Sequence, residues 1–314
     1  VARLRAHVKQ RTIEEIAAKP ELTTHNALRE RWRFSEGMIQ RFFEPFLQGI
    51  LLDPQLQASS RMFEFVMQMF SLGDASLPRL GIGMIPGQIA KSLDRRQIRC
   101  GERVTEVSSS EVRLQSGEVV KGLAVVVATD GPAATDLLRK HEEASGEAAA
   151  SSEAVNLPGE QGVTCVYYAS DVSPVKEPVL VLNGEGPEDG PVNNFCVPSQ
   201  VSENYAPPGK SLISCSIIGV PDVDDEALDE QVQDQMRRWF GVDAVRSWRH
   251  LRTFRIQHAQ PAQPVGRLDP WARSVRVKRG LYVCGDHRDQ ASIQGAMVSG
   301  RRAAEAILHD LGES

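Results

Sequence analysis

The sequence is short of the features that mark several protein classes. It has only 5 cysteines, Cys100, Cys165, Cys196, Cys215 and Cys284, spread along 314 residues. They are odd in number and form no C-x-x-C pair, which argues against a zinc site or a disulfide framework and fits a reducing compartment. No stretch of about 18 apolar residues occurs, so no helix is expected to span a bilayer. The net charge is −5, and the arginine doublets at 95–96, 237–238 and 301–302 are scattered. Nothing therefore draws the whole chain to nucleic acid, and the doublets read as solvated helix faces. H-E-x-x-H, G-x-S-x-G and the P-loop pattern are absent. No internal repeat is visible. The chain opens on Val1, and the basic, polar stretch through Arg11 has no apolar core of the kind a secretory signal needs. A start inside a longer protein is expected, which leaves the compartment open, cytoplasm and plastid included.

What is present is ordinary for a globular protein of about two domains: 41% hydrophobic and 25% charged residues. Residues 10–75 read as helical. Met62, Phe65, Val66, Met69 and Phe70 recur at the spacing of one buried helix face. Phe42, Phe43 and Phe46 form a second aromatic group, read either as helix packing or as an apolar wall for a bulky substrate. The texture changes near Leu80. A glycine-proline turn, Gly81-Ile82-Gly83-Met84-Ile85-Pro86, leads into a helix with Ile85, Ile89 and Leu93 one turn apart. Strand signals follow at 103–107, 111–115 and 123–127, with a turn at Ser116-Gly117-Glu118. The run 123–127 reads as a strand buried on both faces. Residues 140–160 read as a solvated linker. Between 162 and 220, β-like pieces at 163–168, 179–182 and 212–218 predict an antiparallel sheet. A helix from about Asp224 carries Leu228, Val232, Met236 and Trp239 on its buried stripe.

The most informative stretch is 281–308. An apolar strand ends at Gly285-Asp286, and a helix runs from about Ile293. In open α/β sheets ligands sit at the carboxyl ends of strands. Glycine there allows close approach, Asp286 offers an acceptor for hydroxyl groups, and the helix start presents unpaired N–H groups and a positive dipole end. Small residues, Ser292, Gly295, Ala296, Ser299, Gly300 and Ala303, let that helix lie close to a sheet or a flat ring. A tightly packed helix that binds nothing is the competing reading. His287 reads as a loop residue, and Cys284 as buried packing.

These residues resemble a known family. Leu281-Tyr282-Val283-Cys284-Gly285-Asp286, followed by Ser292-Ile293-Gln294-Gly295-Ala296 and on to Ser299-Gly300-Arg301, is similar to the C-terminal FAD-binding signature of the flavin-containing amine oxidoreductases, the superfamily that includes amine oxidases, protoporphyrinogen oxidase and phytoene desaturases. The segment 81–93 and the strand Arg103-Val104-Thr105-Glu106-Val107 resemble other parts of that family, and 257–264 does so weakly. The resemblance implies FAD as cofactor. It also implies Val104, Gly285, Asp286, Ala291, Ser292, Ile293 and Gln294 as its contacts, Val104 by its backbone at the adenine end. It implies an α/β fold, an FAD/NAD(P)-binding doubly wound domain interleaved with an α+β substrate domain whose sheet is mainly antiparallel. The expected division is 1–78 (helical, substrate side), 79–140 (FAD-binding, first part), 141–269 (substrate domain) and 270–314 (FAD-binding, second part).

One departure stands beside the resemblance. The glycine-rich turn G-x-G-x-x-G that cradles the pyrophosphate in such enzymes is missing from the sequence, so the doubly wound domain is expected to be incomplete. The implied activity is hydride transfer from an organic, apolar small molecule to the flavin. The alternative is a non-catalytic remnant or interaction module of the same fold that has lost FAD. No catalytic acid or base, metal ligand or oligomeric state is assigned.

Overall fold

A computed structural model of the protein describes residues 1–146 and 159–312. The strands, in chain order, are β1 (Val104–Val107), β2 (Glu111–Leu114), β3 (Val119–Lys121), β4 (Val125–Val127), β5 (Glu160–Ser170), β6 (Leu180–Leu182), β7 (Asn194–Cys196), β8 (Ser211–Ile218), β9 (Arg249–Pro261), β10 (Arg276–Lys278) and β11 (Leu281–Val283). The chain divides into two compact units. One comprises Val1–Ile16, Pro20–Leu93 and Gln161–Ala259, the other Ala17–Lys19, Asp94–Glu160 and Gln260–Ser314. Among the described residues, no helix is long and apolar enough to cross a membrane.

The first unit joins an N-terminal helical layer to a five-stranded sheet of order β6-β7-β8-β5-β9. The β6–β7, β7–β8 and β8–β5 pairs are antiparallel. The helix Asp225–Phe240 starts at the cap Asp224, whose carboxylate accepts from the Ala227 N–H. It seats Leu228, Val232 and Met236 against Val166, Tyr168, Phe195, Ile213 and Ile217 of the sheet. Trp239 is only partly buried at the rim of this core. Period-2 alternation explains the pattern: Val166 and Tyr168 point into the core, while Cys165 and Tyr167, which alternate with them, are on the other face. β7 and the long β9 carry no clean alternation, and the sequence reading did not include them.

In the helical layer, Ser60–Leu72 buries Met62, Phe65 and Val66 as expected. Met69 and Phe70 of the same expected face are 40% and 46% exposed. The buried stripe turns instead through two polar residues. Glu64 accepts from Arg31 at 3.0 Å, and Gln68 Nε2 donates to the Val8 carbonyl at 2.9 Å. The Gln68 bond ties the N-terminal helix Ala2–Lys9 to Ser60–Leu72, and the Glu64 bond ties in the turn Ala27–Arg31, a use of polar groups that an apolar-period argument cannot find. The stretch 27–43 includes two π-helical turns, Ala27–Arg31 and Ile39–Phe43. The helix Met84–Ala90 buries none of its residues, and Ile89 and Leu93 are exposed.

The second unit contains an antiparallel meander, β1-β2-β3, and a second sheet of order β10-β11-β4. β11 runs parallel to β4, with Leu281 opposite Val125 and Val283 opposite Val127, although more than 150 residues separate them. Three details differ from the sequence reading. The turn Ser116-Gly117-Glu118 leads to β3, not to the valine run. That run forms a strand only at β4, with Leu123 81% exposed and Val126 38% exposed, so it is buried on one face. Residues 140–145, expected in a linker, belong to the helix Gly131–Ser145. The rest of that linker, 147–158, lies outside the described residues. The larger of two apolar clusters among the unit's described residues holds Val107, Val125, Val127, Ala134, Leu137, Leu138, Val277, Leu281 and Val283, and the smaller holds Val275, Cys284 and Ala303.

Candidate functional site

Parallel pairing brings two chain segments of the second unit to one place. Because β4 and β11 run in the same direction, the segments that leave them emerge on the same side. β4 leads through Thr129 and Asp130 into Gly131–Ser145, with Asp130 capping the Ala133 N–H at 2.9 Å. β11 leads through Cys284, Gly285 and Asp286 into Ile293–Leu311. Two helix N-termini thus start beyond the carboxyl ends of adjacent parallel strands, the arrangement that receives anionic ligands in open α/β sheets.

The turn after β11 is held by close contacts. Gly285 has φ +151°, a conformation L side chains rarely adopt, and a Cβ there would lie 2.4 Å from the His287 ring. The Gly285 N–H donates to Ser299 Oγ at 2.9 Å, and the same hydroxyl donates back to the Gly285 carbonyl at 2.8 Å. The helix Ile293–Leu311 is thereby pinned to the strand end. Ser292 caps it, accepting from the Gly295 N–H at 2.9 Å. The first helical amides have no carbonyl one turn back to bond, and they belong to Ile293 and Gln294. Gly295 is required by its neighbour: a Cβ would meet the Gln290 carbonyl oxygen at 2.0 Å.

Two arginines brace this turn from behind. Arg302 donates to the carbonyls of Arg273 and Arg288 at 2.8 and 2.9 Å and pairs with Asp289 at 3.0 Å. Arg288, fully buried, donates through Nε to the Ser274 carbonyl at 3.0 Å. Arg302 is therefore structural, not the solvated charge its doublet implied, while its neighbour Arg301 is exposed. Burial raises the Cys284 thiol above its ordinary range.

The expected contact residues fall into two groups. Gly285, Asp286, Ala291, Ser292, Ile293 and Gln294 lie along this turn and the helix start. Asp286 opens a short 3₁₀ turn, Asp286–Arg288, with its carboxylate partly exposed. Ala291 is buried, Ser292 half-buried, and Ile293 and Gln294 exposed. Val104 belongs to a different sheet, at the start of β1, and packs on the larger apolar cluster of the unit.

Sequence reasoning missed His287. It is 2% exposed, and among the described residues neither ring nitrogen has a hydrogen-bond partner. Gln290, also buried, leaves Oε1 without a partner. Each such buried orphan costs about 1–3 kcal/mol. Both lie in this one turn. No sequence signal separates this histidine from an ordinary loop residue, because its burial comes from Gly285 lacking a Cβ.

A cavity of about 540 Å³ lies in the other unit, beside Gln48, Asn193, Val192 and Ile217. Two of its amides bond each other, Asn193 Nδ2 donating to Gln48 Oε1 at 2.9 Å. None of the expected cofactor residues lines it.

Residues 2–308 match the flavin-containing amine oxidoreductases. The chain belongs to that family. No curated protein sequence matches it. Among solved structures, it is similar to an oxidoreductase from Methanosarcina mazei, with 16% identity, a TM-score of 0.68, and 97% of this chain and 71% of that one covered. It is also similar to reduced UDP-galactopyranose mutase, with 16% identity, a TM-score of 0.67, and 99% and 71% covered. A third relative is a protein from Exiguobacterium sp. 255-15 assigned as a protoporphyrinogen oxidase, with 18% identity, a TM-score of 0.69, and 99% and 71% covered. At these identities the likeness is one of fold, an α/β architecture with antiparallel sheets. Membership of this oxidoreductase family implies a flavin. The turn after β11 fits one, with a glycine at the strand end, amides at a helix start, and a buried imidazole with no partner.

Proposed function

We propose that the chain is an FAD-dependent oxidoreductase that takes hydride from a C–H bond, α to nitrogen where the substrate is an amine, of a bulky, apolar organic molecule. The observation that carries this reading is the turn Gly285–Gly295 at the ends of the parallel strands β4 and β11, with its orphaned polar groups. The bound flavin supplies the hydride acceptor, and the substrate is oxidised by two electrons. The roles proposed for this chain's residues are binding and orientation. Asp286 accepts from a cofactor hydroxyl, the amides of Ile293 and Gln294 face the phosphates, and Val104 contacts the adenine end through its backbone. The preference for an apolar substrate is supported by aromatic surface in the first unit. Phe42 stacks on Phe46 at 5.4 Å, and Phe46 packs on Phe70 at the same distance, with Phe70 substantially exposed.

The missing G-x-G-x-x-G sets the expected strength of binding. Hydrogen bonds to a charged group contribute about 1.5–3 kcal/mol each. Lacking two of them weakens FAD binding by about 3–6 kcal/mol, roughly two to four orders of magnitude. The purified 314-residue chain, titrated with FAD and followed by flavin fluorescence, is expected to bind weaker than micromolar, with Asp286→Ala weaker still. Submicromolar binding would show that another element replaces the glycine-rich turn. Equal binding by Asp286→Ala removes that residue from the site. No binding at millimolar FAD favours a remnant that keeps the fold without the cofactor.

A further inference from the structure

His287 has hydrogen-bonding capacity that the fold does not use. Its backbone is fixed, since Arg267 donates to its carbonyl at 2.9 Å. Its ring is buried with both nitrogens unpartnered. The nearest carboxylate oxygen, Asp286 Oδ1, is 3.8 Å from Nδ1, beyond hydrogen-bond reach. The ring is not in a random part of the core. Its Cε1 and Nδ1 lie 2.4 and 2.5 Å from where a Cβ on Gly285 would stand, and the Thr129 carbonyl oxygen is 3.4 Å from the same point. Gly285 and Thr129 are each two residues past the ends of the parallel strands β11 and β4. The imidazole therefore stands at the carboxyl ends of that pair, where the incoming nucleotide is expected.

We propose that His287 is a positioning residue for the flavin nucleotide, one ring nitrogen hydrogen-bonding an oxygen of the bound cofactor. The inference rests on the flavin reading of this unit. A neutral imidazole has one donor and one acceptor nitrogen, and a structural histidine in a core engages at least one of them. An imidazole that engages neither weakens the ligand-free fold relative to an apolar side chain of similar volume. It is useful only when something else completes its hydrogen bonds. The two roles predict opposite signs. A structural ring stabilises the free protein and leaves ligand affinity alone, whereas a positioning ring does the reverse.

The test compares the wild-type chain with His287→Leu and His287→Gln. Unfolding midpoints in urea are measured without FAD and at millimolar FAD, and FAD affinity is measured by fluorescence titration. The expected result is a His287→Leu midpoint equal to or above wild type without FAD, and an FAD affinity at least tenfold weaker. His287→Gln, which keeps a donor and an acceptor, recovers part of that affinity. If the leucine variant packs poorly and unfolds earlier, the affinity decides: a tenfold loss with partial recovery by glutamine supports the proposal. Unchanged affinity in His287→Leu overturns it while wild-type binding leaves the flavin reading intact. If FAD neither binds wild type nor raises its midpoint, the flavin reading itself fails, and this inference with it.

Discussion

Gly295 and Gly300 lie in the same helix, five residues apart, and are glycines for different reasons. At Gly295 a Cβ meets a backbone carbonyl, that of Gln290, which cannot swing away as a side chain can. At Gly300 nothing lies within 4 Å of the added atom. Gly295→Ala is expected to destabilise the protein by about 1–3 kcal/mol through forced displacement of the turn. Gly300→Ala is expected to stabilise it by about 0.5–1 kcal/mol, because alanine loses less freedom in a helix interior. Urea unfolding of the two variants checks both signs, and equal shifts would contradict the close packing at Gln290. The small-residue run from Ser292 to Ala303 is visible in the sequence, but its division of labour is not. Ser299, bonded to both backbone groups of Gly285, reads from sequence as merely small. Arg302 reads as merely charged, although it ties together Arg273, Arg288 and Asp289.

Among the elements, legibility followed periodicity. The helix Asp225–Phe240 was plain from the spacing of Leu228, Val232 and Met236, and β5 and β8 from their β-like runs at 163–168 and 212–218. β3, β7 and β9 were not, since each is a strand by its pairing and not by a pattern of its own. The end of the helix Ile293–Leu311 shows how such pairing is held. Asp310 accepts from the Tyr282 hydroxyl and pairs with Arg276, joining the last helical turn to β11 and β10. The hydrogen bond from Tyr282, helped by His309 and Arg276, holds the Asp310 carboxyl below the usual carboxylate range, against the smaller opposing effect of burial. A folded-state pKa below the unfolded one contributes stability that is present above the unfolded value and lost as pH falls through the folded one. Unfolding midpoints are therefore expected to fall below about pH 4. That fall should be shallower in Asp310→Asn, measured by urea denaturation between pH 3 and pH 7. An identical pH profile in the variant would contradict the role given to this carboxylate.

For the molecule as a whole, the resemblance carried by a few motif residues led to the family that residues 2–308 match. It could not supply the state of the site, because burial of His287 and Gln290 depends on how Gly285 and Gly295 let the turn close on itself. The central claim is that this turn, in the second unit, is where the flavin sits. Amide hydrogen exchange with and without saturating FAD tests it most directly. The account predicts slowed exchange over residues 285–296 and around Val104, and no change in the helix Asp225–Phe240. Protection confined to the first unit, or no protection anywhere at saturating FAD, would contradict it.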